Sequence, residues 1–214
     1  MHSDSIDELI SNYLAMPARL SWKGALGDSV RGTFVGGRLE LAGLAVLALP
    51  CQRLILESDR FQFTPGLPAR IQAVGPRIEM TIDQAQLDRW LARAKAPFRL
   101  ALQENGVELA LDLAGYPVTR LKAELCIDRG WFVLRPRRAA FFGLENRLVA
   151  LFRAFFPMPK LAPETRISGI RHEPGALVLE FRLNDFEEEL RPGLAQRLQK
   201  RFLPLPRIGF SGRA

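Results

Sequence analysis

Three segments of this chain have the pattern of β-hairpins, and they constrain the fold more than any other feature. Each joins two runs of alternating hydrophobicity through a turn that contains glycine: residues 98–102 and 107–113 around Glu104-Asn105-Gly106, residues 118–127 and 131–135 around Asp128-Arg129-Gly130, and residues 166–172 and 176–183 around Glu173-Pro174-Gly175. An Asn-Gly pair between such runs is the strongest short-range hairpin signal. The alternation predicts an antiparallel sheet with one dry face and one wet face.

The chain before the first hairpin also has the texture of β-strands. Between residues 30 and 64, glycines at positions 32, 36, 37 and 43 separate short apolar runs, which predicts several short strands broken at those glycines. Residues 70–81 continue as a further strand. The acidic run at residues 185–189 is interpreted most simply as a solvated connection.

Two segments predict α-helices beside this sheet. Apolar residues recur at helical spacing over residues 82–94, with Asp83 placed as the N-cap, and again over residues 194–202. We therefore predict an α+β protein with a single domain over residues 1–190. A basic C-terminal helix and tail follow over residues 191–214.

The stretch RPRRAAFFGLENRLVALFRAFFPMPK, at residues 135–160, combines strong hydrophobicity with strong basicity. Its apolar residues from 143 to 156 recur at helical spacing, which predicts a short amphipathic helix with basic side chains at the edges of its apolar stripe. Two interpretations are open. The helix either packs on the core with its charges in water, or meets lipid, with Phe and Leu in contact with acyl chains and Arg near phosphate.

The net charge of +7 is concentrated in two segments. Residues 1–134 are balanced, with 15 basic and 15 acidic residues, whereas residues 135–160 have six basic residues and one Glu. Residues 190–214 add six basic residues and no acid. This distribution favours an anionic partner: a membrane surface, a phospholipid headgroup or a nucleic acid. Single-strand binders interleave aromatic and basic residues on a sheet face, which is not the pattern here, so nucleic acid ranks last.

Residues suited to catalysis or metal binding are scarce. His2 lies near the terminus and His172 next to a turn, so neither a catalytic triad nor a histidine-based metal site can be composed. The glycines match neither a P-loop nor a dinucleotide fingerprint. Cys51 and Cys126 lie far apart without a C-x-x-C, which predicts buried free thiols. We predict a protein that is not an enzyme and that needs neither metal nor cofactor.

Several stretches, taken in order, carry a resemblance to a known family. They are IDQAQLDRWL at residues 82–91, the paired strands around Asn105-Gly106, FFPMP at residues 155–159, RISGIR at residues 166–171 and GALVLE at residues 175–180. This order resembles the LmeA-like family of bacterial phospholipid-binding proteins over roughly residues 25–185. The resemblance implies a lipid-binding protein of the cell envelope. It also implies a likeness to tubular lipid-binding folds, in which a curved antiparallel β-sheet and amphipathic helices enclose an apolar groove.

From the residues and the resemblance together we predict a non-enzymatic phospholipid-binding protein, peripheral to the membrane, with acyl chains in the groove and a basic rim for the headgroup phosphate. Each buried acyl CH₂ contributes about 0.8 kcal/mol, so acyl contacts would dominate the affinity. The residues expected to contact acyl chains or membrane are Phe141, Phe142, Leu148, Leu151, Phe152, Phe155 and Phe156. Those expected at the phosphate are Arg137, Arg138, Arg147 and Arg153.

Two alternatives use the same segments differently. The Phe-rich helix would instead dock a protein partner in an interaction module, and such a patch would also serve as a homodimer surface. The helix at residues 194–202 would act as a membrane anchor, since each Lys or Arg near an anionic surface contributes about 1 kcal/mol.

The N-terminal residues bear on where the protein acts. Asp4, Asp7 and Glu8 stand where a signal peptide would need a basic region and an apolar run. Many members of the resembled family carry such a signal or a membrane anchor. We therefore expect a cytoplasmic protein associated peripherally with the membrane, or a periplasmic one if a signal has been lost.

Overall fold

The computed structural model describes residues 7–8, 10–12, 17–23, 32–42, 45–46, 49–93, 95–113, 116–157, 161–189, 191 and 193–202. Within these residues the protein consists mostly of antiparallel β-sheet and has few helices. The predicted antiparallel sheet is therefore confirmed. The predicted tail at residues 203–214 lies outside the described residues, and so does the side chain of Phe156.

The described strands are, in chain order, β1 (Ala18–Ser21), β2 (Thr33–Ala42), β3 (Ala45–Val46), β4 (Leu49–Pro50), β5 (Arg53–Thr64), β6 (Arg70–Val74), β7 (Arg77–Asp83), β8 (Arg99–Gln103), β9 (Gly106–Leu113), β10 (Tyr116–Asp128), β11 (Trp131–Phe141), β12 (Leu144–Asn146), β13 (Ala154–Pro157), β14 (Thr165–Glu173), β15 (Ala176–Leu183) and β16 (Phe186–Glu189). The α-helices are α1 (Gln84–Arg93) and α2 (Leu194–Phe202), and a 3₁₀-helix spans Leu148–Leu151. Residues 7–8 and 10–12 are also helical.

The larger sheet has eight strands, with β1-β2-β5-β7-β15-β14 as its main path and β6 and β16 off that path. β5 is long enough to pair with β7 through its first half and with β6 through its second half. Ser58 sits where the partner changes, and its buried hydroxyl accepts a hydrogen bond from the Val74 N–H at 3.1 Å. β5 thereby joins the part of the sheet that contains β7 to the part that contains β6.

Two predictions about this sheet are wrong. Gly36 and Gly37 do not break the chain into short strands; β2 runs through them with Gly36 at φ +60°, and its register with β5 is the same on both sides of Gly36. Glycine accommodates this positive φ because it lacks a Cβ. The acidic run is not a loose connection either, since it forms β16 on the edge of β6. There Glu188 pairs with Arg201 of α2 at 2.9 Å.

The main hydrophobic core covers one face of the larger sheet. Its most buried members include Met80 and Phe181 on the neighbouring strands β7 and β15. Helix α2 contributes Leu194, which is buried in the same cluster, and Leu198, which packs against it. The C-terminal helix is therefore part of the packed domain.

The smaller sheet confirms the first two predicted hairpins. Its order is β12-β11-β10-β9-β8, with β13 also paired to β11. The first hairpin turns at Glu104 and Asn105, with Gly106 already in the strand. The third predicted hairpin, β14–β15, is confirmed in the larger sheet.

Helix α1 and two side chains join the two sheets. Gln86 N donates to Asp83 Oδ1 at 2.6 Å, which confirms the predicted N-cap. The side-chain amide of Gln84 donates to Leu100 O at 2.7 Å and accepts from Leu102 N at 2.6 Å, so α1 is bonded to the edge strand β8. On β14, His172 Nε2 donates to the carbonyl oxygen of Leu125 at 2.9 Å.

Candidate functional site

The amphipathic helix predicted over residues 143–156 is wrong, because the chain forms a hairpin turn at its start. Phe142 and Gly143 have φ values of +51° and +80°, and Phe141 pairs with Leu144 across them. Two consecutive positive φ values between paired residues describe a type I′ turn, whose twist suits a two-residue hairpin. Phe142 N also donates to Val118 O at 2.9 Å, which ties the turn to β10. β11 therefore continues six residues beyond the end predicted for it.

Strands β12 and β13 lie along the same edge of β11, because β10 occupies the other edge. Between them, residues 147–153 leave the sheet and span only residues 135–138 of β11; we call them the 147–153 loop. Pro136 lies within that gap, and it has no N–H to offer a neighbouring strand. The sequence of β11 thus favours the detachment of the edge strand at this point.

The 147–153 loop is held by its own short-range hydrogen bonds. Leu148 N donates to Asn146 Oδ1 at 2.9 Å, Ala150 N to Arg147 O at 3.1 Å, and Phe152 N to Val149 O at 3.0 Å. These bonds form the 3₁₀-helix without burying any of its side chains. The loop therefore presents apolar side chains to solvent.

Exposed apolar side chains are concentrated in this region. Of twelve large hydrophobic residues exposed in the described part of the chain, seven lie between residues 141 and 155: Phe141, Phe142, Leu144, Leu148, Leu151, Phe152 and Phe155. Leu151 is 80% exposed and Phe142 is 76% exposed. We call residues 141–155 the apolar segment. The interpretation in which these side chains pack in the core is therefore wrong, and a solvent-facing apolar patch of this kind marks a contact surface.

Sequence reasoning missed two members of this surface. Leu144 stands on β12 opposite Phe141, and Tyr116, which is 75% exposed, begins β10 at the same end of the sheet as the Phe142 turn. The predicted acyl contacts left out Leu144, although it belongs to the same helical repeat as Leu148 and Leu151. Tyr116 follows Gly115 and precedes Pro117 in the sequence, which gives no signal of exposure.

The four predicted phosphate-binding arginines surround the 147–153 loop. Arg147 and Arg153 are its first and last residues, and Arg137 and Arg138 lie on β11 opposite the gap that it leaves. All four are exposed. Arg137 Nη2 is bound to Glu124 Oε2 at 3.0 Å, which offsets its charge.

The other three arginines differ from Arg137. Within the described residues, Arg138, Arg147 and Arg153 take part in no ion pair. Arg138 stands directly opposite Lys122 of β10, which is paired with Glu108 at 3.7 Å. These three guanidinium groups are placed to meet an anion.

The predicted acyl-contact side chains that the structure describes, all except that of Phe156, are exposed and do not enclose a groove among the described residues. A cleft of about 490 Å³ lies elsewhere, and its lining is charged: Arg70, Glu187, Glu188, Glu189, Arg191 and Arg197. Ion pairs cross it, such as Arg70 Nη1 to Glu187 Oε1 at 3.1 Å. Walls of this kind suit polar groups rather than hydrocarbon.

The membrane-anchor hypothesis for the C-terminal helix also meets a structural obstacle. The apolar side of α2 is used inside the protein, where Leu194 is buried. Arg201 is held by Glu164 at 2.7 Å and by Glu188 at 2.9 Å, and these hydrogen-bonded carboxylates raise its pKa. Leu194 and Leu198 of α2 therefore face the core rather than lipid.

Cysteine chemistry and metal binding offer no competing site. Cys51 is 1% exposed, and burial raises the pKa of its thiol to about 11, although hydrogen bonds with the backbone of Arg53 and Thr81 act in the opposite direction. Both thiols are free as predicted, but only Cys51 is buried, whereas Cys126 is partly buried. In the part of the chain that is described, His, Cys, Asp and Glu side chains form no group of three that is suited to a metal ion.

Comparisons of this chain with protein-family models, with curated proteins and with solved structures give no match. The resemblance to the LmeA-like family therefore stays a prediction from the sequence. Among the described residues, the helices are too short or too polar to cross a bilayer.

Proposed function

We propose that this protein binds anionic phospholipid membranes peripherally, through the apolar segment and the arginines around the 147–153 loop. The observation that carries the proposal is the concentration of exposed Phe and Leu side chains in the same few residues as arginines that form no ion pair with the described part of the chain. The apolar side chains enter the acyl boundary of the membrane, and the arginines bind headgroup phosphates. The proposal keeps the phospholipid binding that the sequence predicts. It differs in that the acyl chains contact the exposed surface of the protein and not an enclosed groove.

The energetics favour this use of the surface. Transfer of a large apolar side chain from water contributes roughly 1.5–3 kcal/mol when it is fully buried. Three such side chains on the 147–153 loop, Leu148, Leu151 and Phe152, are each more than two-thirds exposed. Their combined insertion is enough to determine whether the protein partitions to vesicles.

The test compares two variants in a vesicle co-sedimentation assay. The triple change Leu148→Ser, Leu151→Ser and Phe152→Ser removes apolar surface from the loop without touching either core. The control Leu67→Ser removes a fully exposed leucine from the connection between β5 and β6. We expect the triple variant to lose at least tenfold in partitioning to anionic vesicles, and the control to bind like the wild type.

Either of two results would overturn the proposal. One is wild-type protein that does not sediment with vesicles containing anionic lipid at low ionic strength. The other is a triple variant that sediments as well as the control. Circular dichroism of each variant would establish that the fold is retained.

A further inference from the structure

The outward face of the larger sheet carries a row of five charged residues, one from each of five neighbouring strands. From β2 to β14 the row consists of Arg38, Glu57, Arg77, Arg182 and Arg166, each directly opposite the next. Their neighbours along the strands, such as Ile78 and Phe181, are buried in the core. Since side chains alternate along a strand, the charged row faces away from the core.

The two ends of this row differ in how their charges are balanced. Arg38 Nη1 is 2.7 Å from Glu57 Oε1, and Arg77 Nη2 is 2.8 Å from Asp59 Oδ1. Arg182 and Arg166 are both exposed and stand opposite each other. Within the described residues neither of them forms an ion pair.

The carboxylates nearest to this pair along the strands are already bound. Glu180, two residues before Arg182, accepts a hydrogen bond from Arg171 Nη1 at 2.8 Å. Glu164, two residues before Arg166, accepts one from Arg201 Nε at 2.7 Å. Asn184, two residues after Arg182, lies beside Glu164, because Asn184 N donates to Glu164 O at 2.9 Å. Its side chain is exposed and neutral and carries hydrogen-bond donors.

Two like charges directly opposite each other destabilise a sheet, so a pair without carboxylate partners is best explained by an anion that bridges it. Opposed side chains start about 4.5–5.5 Å apart, and the planar forks of two guanidinium groups match the oxygens of a phosphate. We infer that Arg166 and Arg182 form a binding site for a phosphate group, flanked by Asn184. The site is separate from the apolar segment, and its ligand is either a soluble phosphate ester or a lipid headgroup.

Thermal unfolding in phosphate and in chloride at equal ionic strength tests this inference. Phosphate stabilises proteins in general by exclusion from their surface, so the comparison between variants is decisive. The test variant is Arg166→Gln with Arg182→Gln, and the matched control, Arg60→Gln with Arg129→Gln, removes the same charge from other exposed positions. We expect phosphate to raise the Tm of wild type and control by about 2–4 °C more than that of the test variant.

Equal gains in Tm for all three proteins would overturn the inference, because general exclusion would then account for the effect. Arginine Nε–Hε resonances give an independent readout: we expect saturable shifts at Arg166 and Arg182 with sodium phosphate and none with chloride. Absence of those shifts would also overturn it. Weaker sedimentation of the test variant with anionic vesicles assigns the site to a lipid headgroup, and unchanged sedimentation assigns it to a soluble phosphate ester.

Discussion

At the residue scale, Gly37 shows how one position without a side chain determines the packing of a large neighbour. The ring of Phe61, which is buried in the main core, occupies the place that a Cβ at Gly37 would take. Gly37→Ala therefore forces the ring or the strand to move, and we expect a loss of about 1–3 kcal/mol in the free energy of unfolding, measured with urea. The added change Phe61→Leu makes room and should recover part of that loss.

The control for this prediction is Gly175→Ala. Gly175 has φ +69° but open space around it, so alanine there meets only backbone strain. Phe61→Leu should give no recovery in that background. A double-mutant cycle with no coupling between positions 37 and 61 would contradict the explanation.

Cys51 gives the protein a specific loss of stability at high pH. Because burial raises the pKa of its thiol from 9.0 to about 11, the folded state keeps the proton that the unfolded state releases. This contribution is complete below pH 9 and is lost as the pH rises towards 11. We expect urea midpoints to fall more between pH 8.5 and about pH 10.5 for the wild type than for Cys51→Ala, in which no thiol titrates at this position. Parallel falls in the two proteins would assign the effect to other groups.

At the element scale, the sequence predicts the hairpins well and the apolar segment poorly. Alternation and turn residues are local signals, so β8–β9, β10–β11 and β14–β15 follow from the sequence alone. Residues 143–156 satisfy a helical repeat, but they do not form a helix. Phe142 and Gly143 form a hairpin turn with positive φ values, and Pro136 of β11 has no N–H to offer a neighbouring strand. The exposure of the apolar segment depends on which strands pair with each other. A hydrophobic pattern carries no information about that pairing.

The arginines around the 147–153 loop differ in a way that binding can measure. Arg138, Arg147 and Arg153 have no ion pair within the described residues, whereas Arg137 is neutralised by Glu124. We expect Arg138→Gln, Arg147→Gln and Arg153→Gln together to weaken partitioning to anionic vesicles by about 1 kcal/mol per charge at low ionic strength. Neutral vesicles should show little change, and Arg137→Gln alone should have a smaller effect than any of the other three. Equal losses on neutral and anionic vesicles would exclude the phosphate contact.

At the scale of the whole molecule, the smaller sheet depends on the larger one for its stability. Among the described residues its hydrophobic cluster consists of Leu102, Val107 and Ala123, and the two other buried side chains of this sheet, Val133 and Ala139 of β11, lie outside that cluster. Leu87 of α1 and Leu177 of β15 pack against this cluster and against the main core as well. Since the smaller sheet carries the apolar segment, the junction between the sheets also sets how rigidly the candidate site is presented.

The junction can be tested by removing three side-chain hydrogen bonds, two between Gln84 and β8 and one between His172 and β10. Gln84→Ala leaves Leu102 N–H without its acceptor, and His172→Ala removes the donor to Leu125 O. Each buried group left unpaired costs about 1–3 kcal/mol, so the double variant should open the smaller sheet locally. Hydrogen exchange should then accelerate at amides of β9 and β10 by at least tenfold more than at β5 and β7. The control Gln103→Ala removes an exposed side-chain bond to Glu108 within the smaller sheet and should leave both rates unchanged. If exchange accelerated equally in both sheets, they would form one cooperative unit, and the apolar segment would be as firmly held as the main core.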